Sequence, residues 1–304
     1  MKVPEYNPAS DIPDLAGKVI LVTGGTSGVG KETVLVLAKH NAKRVFFTGR
    51  DATRAKEVIS LAGTKSGSSV SFIDCDLTSL SSVQAAAQTF LSQSPDRLDV
   101  LLCNAGVMCV PPSTTKDGYE IQFGTNYLGH ALLVSLLLPV LRKTSGGRVV
   151  TLSSSAFAYA PKPGIAFESL KAPGSSGMTG PMYTYCQSKL ANHLYAKELA
   201  RRYPDITSVA VHPGIVATPL ISKLGWMDRM IVYATNPQRS ITSEQGAYNM
   251  LWAATTPAQT LANGTYYVPV GEKGKESKYS QDKELGKNLY DWTEKELQPF
   301  LLQT

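Results

Sequence analysis

Seven short β-branched runs recur along the chain, most of them separated by helix-forming segments, and this alternation limits the fold more sharply than any other feature. The runs are "KVILVTG" (18–24), "RVFFTG" (44–49), "VSFIDC" (70–75), "LDVLLCN" (98–104), "GRVVTLSS" (147–154), "ITSVAVHPG" (206–214) and "TYYVPV" (265–270). Between them, segments such as "GKETVLVLAKH" and "SSVQAAAQTFL" repeat their apolar residues at helical spacing. Strand and helix in alternation imply a parallel sheet wound with helices on both faces. Strands this apolar on both sides belong inside such a sandwich. The expected architecture is therefore α/β, a seven-stranded, mostly parallel, doubly wound sheet. At 304 residues the chain is long for one domain and short for two. No repeat, low-complexity tract or linker marks a boundary. A single domain over 1–304 is expected, with a core of about 17–270 and a tail at 271–304.

Composition narrows the function. The net charge of +6 is mild and its basic residues are scattered, whereas a nucleic-acid binder concentrates them in a patch. The segment "GEKGKESKYSQDKELGK" (271–287) mixes both signs and reads as a solvated tail. Cys75, Cys103, Cys109 and Cys186 show no metal-binding spacing, so no metal is expected, and they suit a reducing compartment. The N-terminal "MKVPEYNPASDIPD" lacks the apolar region of a signal peptide, and the apolar run "ALLVSLLLPVL" (131–141) is too short to cross a bilayer. A cytoplasmic protein without a membrane anchor is expected.

The first strand runs straight into "TGGTSGVGKETVLVLA". Gly24, Gly28 and Gly30 stand where a backbone must turn tightly and let a pyrophosphate approach, and the following helix points its positive end at that phosphate. Strand before and helix after is the context such a loop requires. The tip of the second strand distinguishes the two nicotinamide cofactors. An NAD site places an acid there, about 20 residues past the glycines, to bind the ribose hydroxyl. This chain has Gly49 near that place and Arg50 beside it, and an arginine fork grips a 2′-phosphate. The expected cofactor is NADP(H), with Asp51 capping the next helix.

In "YTYCQSK" (183–189), Tyr185 and Lys189 stand four apart and are followed by strong helix formers. Residues i and i+4 lie side by side on a helix. A cation beside a phenol lowers a pKa that normally sits near ~10, so this tyrosine could exchange protons near neutral pH. The same spacing also occurs on ordinary helix surfaces.

The glycine loop, "CDL" (75–77), "NAG" (104–106), "NYLGH" (126–130), "LSSS" (152–155), "YCQSK" (185–189) and "HPG" (212–214) follow one another in a set order. Together they resemble the short-chain dehydrogenase/reductase superfamily in its single-domain Rossmann branch. "NYLGHALLVSLLLPVL" and "YCQSKLANHLYAKELARR" are most similar to retinol-dehydrogenase-like members and to reductases of fungal metabolism.

The resemblance implies catalytic roles for Asn126, Ser154, Tyr185 and Lys189. Tyr185 would be the acid/base, Lys189 its modulator and a ligand of the nicotinamide ribose, and Ser154 the donor to the substrate oxygen. Ser153 or Ser155 could replace Ser154 if the register shifts by one, and Tyr183 is two residues off the pairing. Asn126 would support a proton-relay water, or satisfy backbone groups at a helix irregularity, or both. For the cofactor the resemblance implies Gly24, Thr26, Ser27, Gly28, Val29 and Gly30, then Arg50, then Asp76 and Leu77 at the adenine. It further implies Asn104, Ala105 and Gly106 at the fourth-strand turn, with Tyr185, Lys189, Pro213, Gly214 and Thr218 on the nicotinamide side. His212 reads as a packing or hydrogen-bonding residue.

The implied reaction is direct hydride transfer between NADP(H) and a ketone, aldehyde or secondary alcohol. Substrate contacts are expected in 156–182, rich in proline and glycine, and in 219–240. The latter carries Leu220, Ile221, Leu224, Trp226, Met227, Met230, Ile231 and Tyr233. Apolar linings of this kind suit a bulky apolar small molecule of polyketide, terpenoid, steroid or retinoid type. The same side chains could pack on the sheet or on a second subunit, which leaves a homo-oligomer open. A catalytically silent NADP-binding sensor or scaffold is the alternative, although such relatives usually lack the tyrosine or the lysine. A sugar-nucleotide epimerase is disfavoured by the Gly-x-x-x-Gly-x-Gly spacing at 24–30.

Overall fold

Each of the seven runs forms a strand; the inner ones are apolar toward both covering layers of helices, while the edge strand at 69–74 has a single buried residue. The structure, a computed structural model, describes residues 6–63, 68–171, 180–216 and 240–301. In chain order the main elements are β1 (Val19–Val22), α1 (Gly28–Lys39), β2 (Arg44–Gly49), α2 (Ala52–Ala62), β3 (Ser69–Asp74), α3 (Leu80–Gln93) and β4 (Val100–Cys103). Then come α4 (Ile121–Lys143), β5 (Arg148–Leu152), α5 (Pro181–Arg202), β6 (Thr207–Val211) and α6 (Ser243–Thr255), followed by β7 (Tyr266–Val268), β8 (Glu272–Lys273) and α7 (Lys283–Leu301). They make one sheet in the order β3-β2-β1-β4-β5-β6-β7-β8. The first seven strands are parallel, and β8 runs antiparallel to β7. The described sheet thus has eight strands where seven are expected from sequence. The extra one is two charged residues, too short and too polar to carry a strand pattern.

Successive strand residues alternate between two cores. Val19, Leu21, Phe46 and Leu101 pack with α3, α4, α5 and α7 on one face. Ile20, Val22, Phe47 and Leu102 pack with α1, α2 and α6 on the other. The chain leaves β1 toward β2 and β3 and returns on β1's other edge as β4. Crossovers that depart in opposite directions leave a crevice beyond the carboxyl ends of β1 and β4, where ligands of such sheets bind.

Two elements depart from the sequence reading. The tail at 271–304, expected to be solvated at 271–287, contains β8 and the start of α7. Leu289, Thr293 and Leu297 are fully buried, and Tyr290 stacks on Tyr195 of α5 at 5.8 Å. Their spacing of four makes an apolar stripe, which the mixed charges of the opposite face conceal. Helix α4 is the other. It opens with a π-turn at Gly124–Leu128, in which Gly129 N–H bonds back to Gly124 O. At 23 residues and a mean hydropathy of 1.4, α4 is long and apolar enough to cross a membrane, yet 78% of that stretch is buried inside the protein. Its apolarity belongs to a core helix.

Candidate active site

At the end of β1 the chain adopts positive φ at Gly24 (+69°) and Gly28 (+53°), which only glycine accepts without strain. A Cβ at Gly24 would meet Ala105 at 3.0 Å, and one at Gly30 would collide with Gly24 O and Asn104 Nδ2. The loop therefore lies flat against the β4 turn. Ser27 caps α1 through its backbone and makes no side-chain cap hydrogen bond, so the first amides of that helix remain available to an anion. At the tip of β2, a side chain on Gly49 would meet Thr26 Cγ2 at 2.7 Å, so an acid there would have to displace Thr26. Arg50 follows, two-thirds exposed, with its guanidinium 3.9 Å from Asp76. Asp51 Oδ1 accepts the Arg54 N–H at 3.0 Å, which is the helix cap expected of it. Burial alone would raise the Asp76 carboxyl, but hydrogen bonds from Thr78 and Lys116, then the charge of Arg50, outweigh it and hold it below its ordinary value.

The reaction end lies where α5 passes β5. Ser153 donates to Lys189 O at 3.1 Å and is buried, which ties its hydroxyl to the α5 backbone. Ser154 hydrogen-bonds Tyr185. Lys189 Nζ donates to Leu152 O at 2.9 Å and lies 5.7 Å from the Tyr185 ring centre. Burial pushes the Tyr185 phenol well above its ordinary pKa, against the pull of Ser154, and burial also lowers Lys189 to about 8. The sequence reading expected the lysine to lower the tyrosine's pKa. In the chain alone the reverse holds, because desolvation outweighs a cation that is not in contact with the hydroxyl.

Asn126 occupies the centre of the π-turn and is fully buried. Its Oδ1 accepts the Val107 N–H at 2.7 Å, while Nδ2 donates to Val107 O and to Ser188 Oγ, both at 2.9 Å. A Cβ on Gly106 would stand 3.0 Å from Asn126 Oδ1 and 3.7 Å from Lys189 Nζ. The backbone-satisfying reading of Asn126 describes this geometry. His212 Nδ1 accepts the Gly214 N–H at 3.3 Å, and burial, helped by the Lys189 charge, lowers its pKa to about 4.

A single cleft of about 1000 Å³ runs from Arg50 to Tyr185. Of the site residues expected from sequence and described in the structure, all but Asn126 line it, and Asn126 sits behind Gly106. Thr218 and the apolar positions from Leu220 to Tyr233 fall outside the described residues. The glycine cradle, the open helix end and the length of the cleft fit a nicotinamide dinucleotide. Beyond Tyr185 the wall is Met108, Val110, Pro111, Met182 and Cys186, with Tyr159 exposed at the rim. Sequence reasoning missed Gln122, whose amide joins Cys109 N to Pro181 O and Thr184 at the start of α5. Buried connectors of this kind carry no motif. It also left His130 unassigned, although His130 ends the quoted "NYLGH".

The model of the family described as short chain dehydrogenase matches residues 18–228. The chain is 38% identical over 295 residues to a short-chain dehydrogenase/reductase of Armillaria gallica, covering 94% of this chain and 92% of that protein. It is 36% identical over 259 residues to retinol dehydrogenase 11 of Homo sapiens, covering 83% and 77% respectively. A crystal structure of an uncharacterized protein from Mycobacterium paratuberculosis superimposes with a TM-score of 0.74 at 31% identity, covering 95% of this chain and 96% of that one.

Proposed function

Because this chain belongs to the short-chain dehydrogenase family, and is therefore an oxidoreductase of CH–OH and C=O groups with a nicotinamide cofactor, we propose that it uses NADP(H) on a bulky apolar ketone, aldehyde or secondary alcohol. One observation carries the reading. A cleft with Arg50 at one end contains the buried Tyr185 and Lys189 with the half-buried Ser154, and much of its remaining lining, Met108, Val110, Pro111 and Met182 among it, is apolar.

The bound nicotinamide supplies or accepts the hydride. The chain's own residues handle the proton and the charge. Tyr185 is held protonated by burial, so in reduction it donates its phenol proton to the substrate oxygen. Ser154 donates to the same oxygen and stabilises the charge that develops there. Lys189, pinned by Leu152 O, stands behind the pair and replaces the proton, and Asn126 holds Val107 and Gly106 against it. In oxidation the same groups run in reverse. Glycines 24, 28 and 30 with Thr26, Ser27 and Val29 would hold the pyrophosphate, Arg50 the 2′-phosphate, and Asp76 and Leu77 the adenine. Asn104, Ala105, Gly106, Pro213, Gly214 and Thr218 would hold the remainder.

Arg50 supports NADP because the acid of an NAD site, placed at the neighbouring Gly49 position, would have to displace Thr26. The apolar wall and the similarity to a retinol dehydrogenase support the substrate class. We read the chain as one domain working in the cytoplasm, a reducing compartment that suits the buried free thiols Cys75, Cys103 and Cys186. Homo-oligomer formation stays open to a sizing experiment. The functional test is NADPH oxidation against a panel of carbonyl compounds. Turnover of apolar aldehydes and ketones is expected. Turnover of small polar carbonyls alone would overturn the substrate class, and cofactor binding without turnover of any would favour the silent sensor.

A further inference from the structure

His130, on α4 two residues past the π-turn, is buried and belongs to none of the roles above. Its Nδ1 lies 2.9 Å from Asn126 O and its Nε2 lies 2.8 Å from Thr23 Oγ1. A carbonyl oxygen can only accept, so the ring must carry its proton on Nδ1. A neutral ring then accepts at Nε2, and the Thr23 hydroxyl donates to it at 2.8 Å in preference to Leu102 O at 3.3 Å. Burial lowers the His130 pKa to about 4, in keeping with a neutral ring.

With its proton so committed, Thr23 Oγ1 uses its lone pairs to accept the N–H groups of Asn104 and Ala105 at 2.9 and 3.0 Å. Two residues on, Val107 is gripped on both its N–H and its C=O by Asn126. Segment 104–107, the cleft wall between the glycine loop and Lys189, is thus clamped at one end by Thr23 and at the other by Asn126. His130 joins the two clamps and closes a ring of hydrogen bonds around the segment. Resting on the functional reading above, we propose that His130 is a positioning residue, which sets the cofactor-binding turn on one side and the Asn126–Lys189 end of the site on the other through two separable arms.

The arms can be cut one at a time. Asparagine places an amide nitrogen where Nδ1 stands, so His130→Asn keeps the bond to Asn126 O and loses the one to Thr23. Glutamine reaches the Nε2 position, so His130→Gln keeps an acceptor for Thr23 and loses the donor to Asn126. In the full-length chain, His130→Asn is expected to weaken NADPH binding about ten-fold and by more than it lowers kcat, and His130→Gln to show the opposite split. A purely structural histidine would lower the melting temperature of both variants and shift binding and kcat without a split. Nitrogen NMR of the native protein needs no variant, and it should find a neutral ring protonated on Nδ1. If the native chain neither binds nor turns over NADPH, the functional reading falls. If it does both, equal losses in the two variants, or a ring protonated on Nε2, overturn the role of His130 alone.

Discussion

Lys189 and Tyr185 are largely buried, at 4% and 7% exposed, and that decides how each holds its proton. Desolvation favours the neutral form of both, so at neutral pH the phenol keeps its proton while the amine, near pKa 8, is poised to exchange. The cost of this burial can be measured. The unfolded chain binds the Lys189 proton up to the ordinary value of 10.5, the folded chain only to about 8. Stability withheld by Lys189 is therefore absent below pH 8 and recovered as pH rises to 10.5. Denaturant titrations should show Lys189→Met more stable than the parent by an amount on the order of 3 kcal/mol at neutral pH, with the gap closing across that window. A gap that does not depend on pH would show that the lysine is not desolvated. At the other end of the cleft, Arg50→Ala should weaken NADPH by about 10- to 100-fold, the worth of a charge-assisted pair, and leave NADH nearly unchanged. Equal losses in direct binding titrations would mean that Arg50 does not read the phosphate. Arg50 and the Tyr185–Lys189 pair were legible in the sequence because each follows a recognisable strand or opens a helix. The balance of proton affinities was not, since it depends on how deeply α5 is buried.

Elements that obey one period are easy to read, and those that change period are not. Strands β1 to β7 are apolar runs, and their existence follows from composition within a few residues. The π-turn of α4 leaves the helical repeat for one turn, which is how Asn126 comes to face Val107 and Ser188 instead of continuing the surface of a regular helix. Helix α7 was hidden by its charges. It binds the rest of the molecule through Leu289 and Leu297, through Trp292 packed edge-on to Phe123, and through Thr293 hydrogen-bonded to Tyr127 in the π-turn at 2.6 Å. Leu289→Ala should cost about 2–5 kcal/mol in chemical denaturation, the range for a truncated buried leucine. A cost near zero would mean that α7 does not pack as described.

For the molecule as a whole, the sheet explains why the site is where it is. Strand order reverses between β1 and β4, and the loops that follow these strands, with those after β5 and β6, converge on one cleft lined by the glycine loop and Arg50 as well as by Ser154, Tyr185 and Lys189. That convergence was legible from the alternation of strand and helix. The substrate is proposed only as a class, because the shape of the cleft is set by side chains drawn from separate stretches of chain, Met108, Tyr159 and Met182 among them. The central claim is that the protein moves a hydride from NADPH to a carbonyl while Tyr185 moves the proton. It is tested most directly by following NADPH oxidation and alcohol formation with an apolar aldehyde, in the parent chain and in Tyr185→Phe. One alcohol formed per NADPH consumed is expected in the parent, with kcat lower by about 10²–10⁴-fold in the variant and NADPH affinity unchanged. A variant that turns over at the parent's rate would contradict the account.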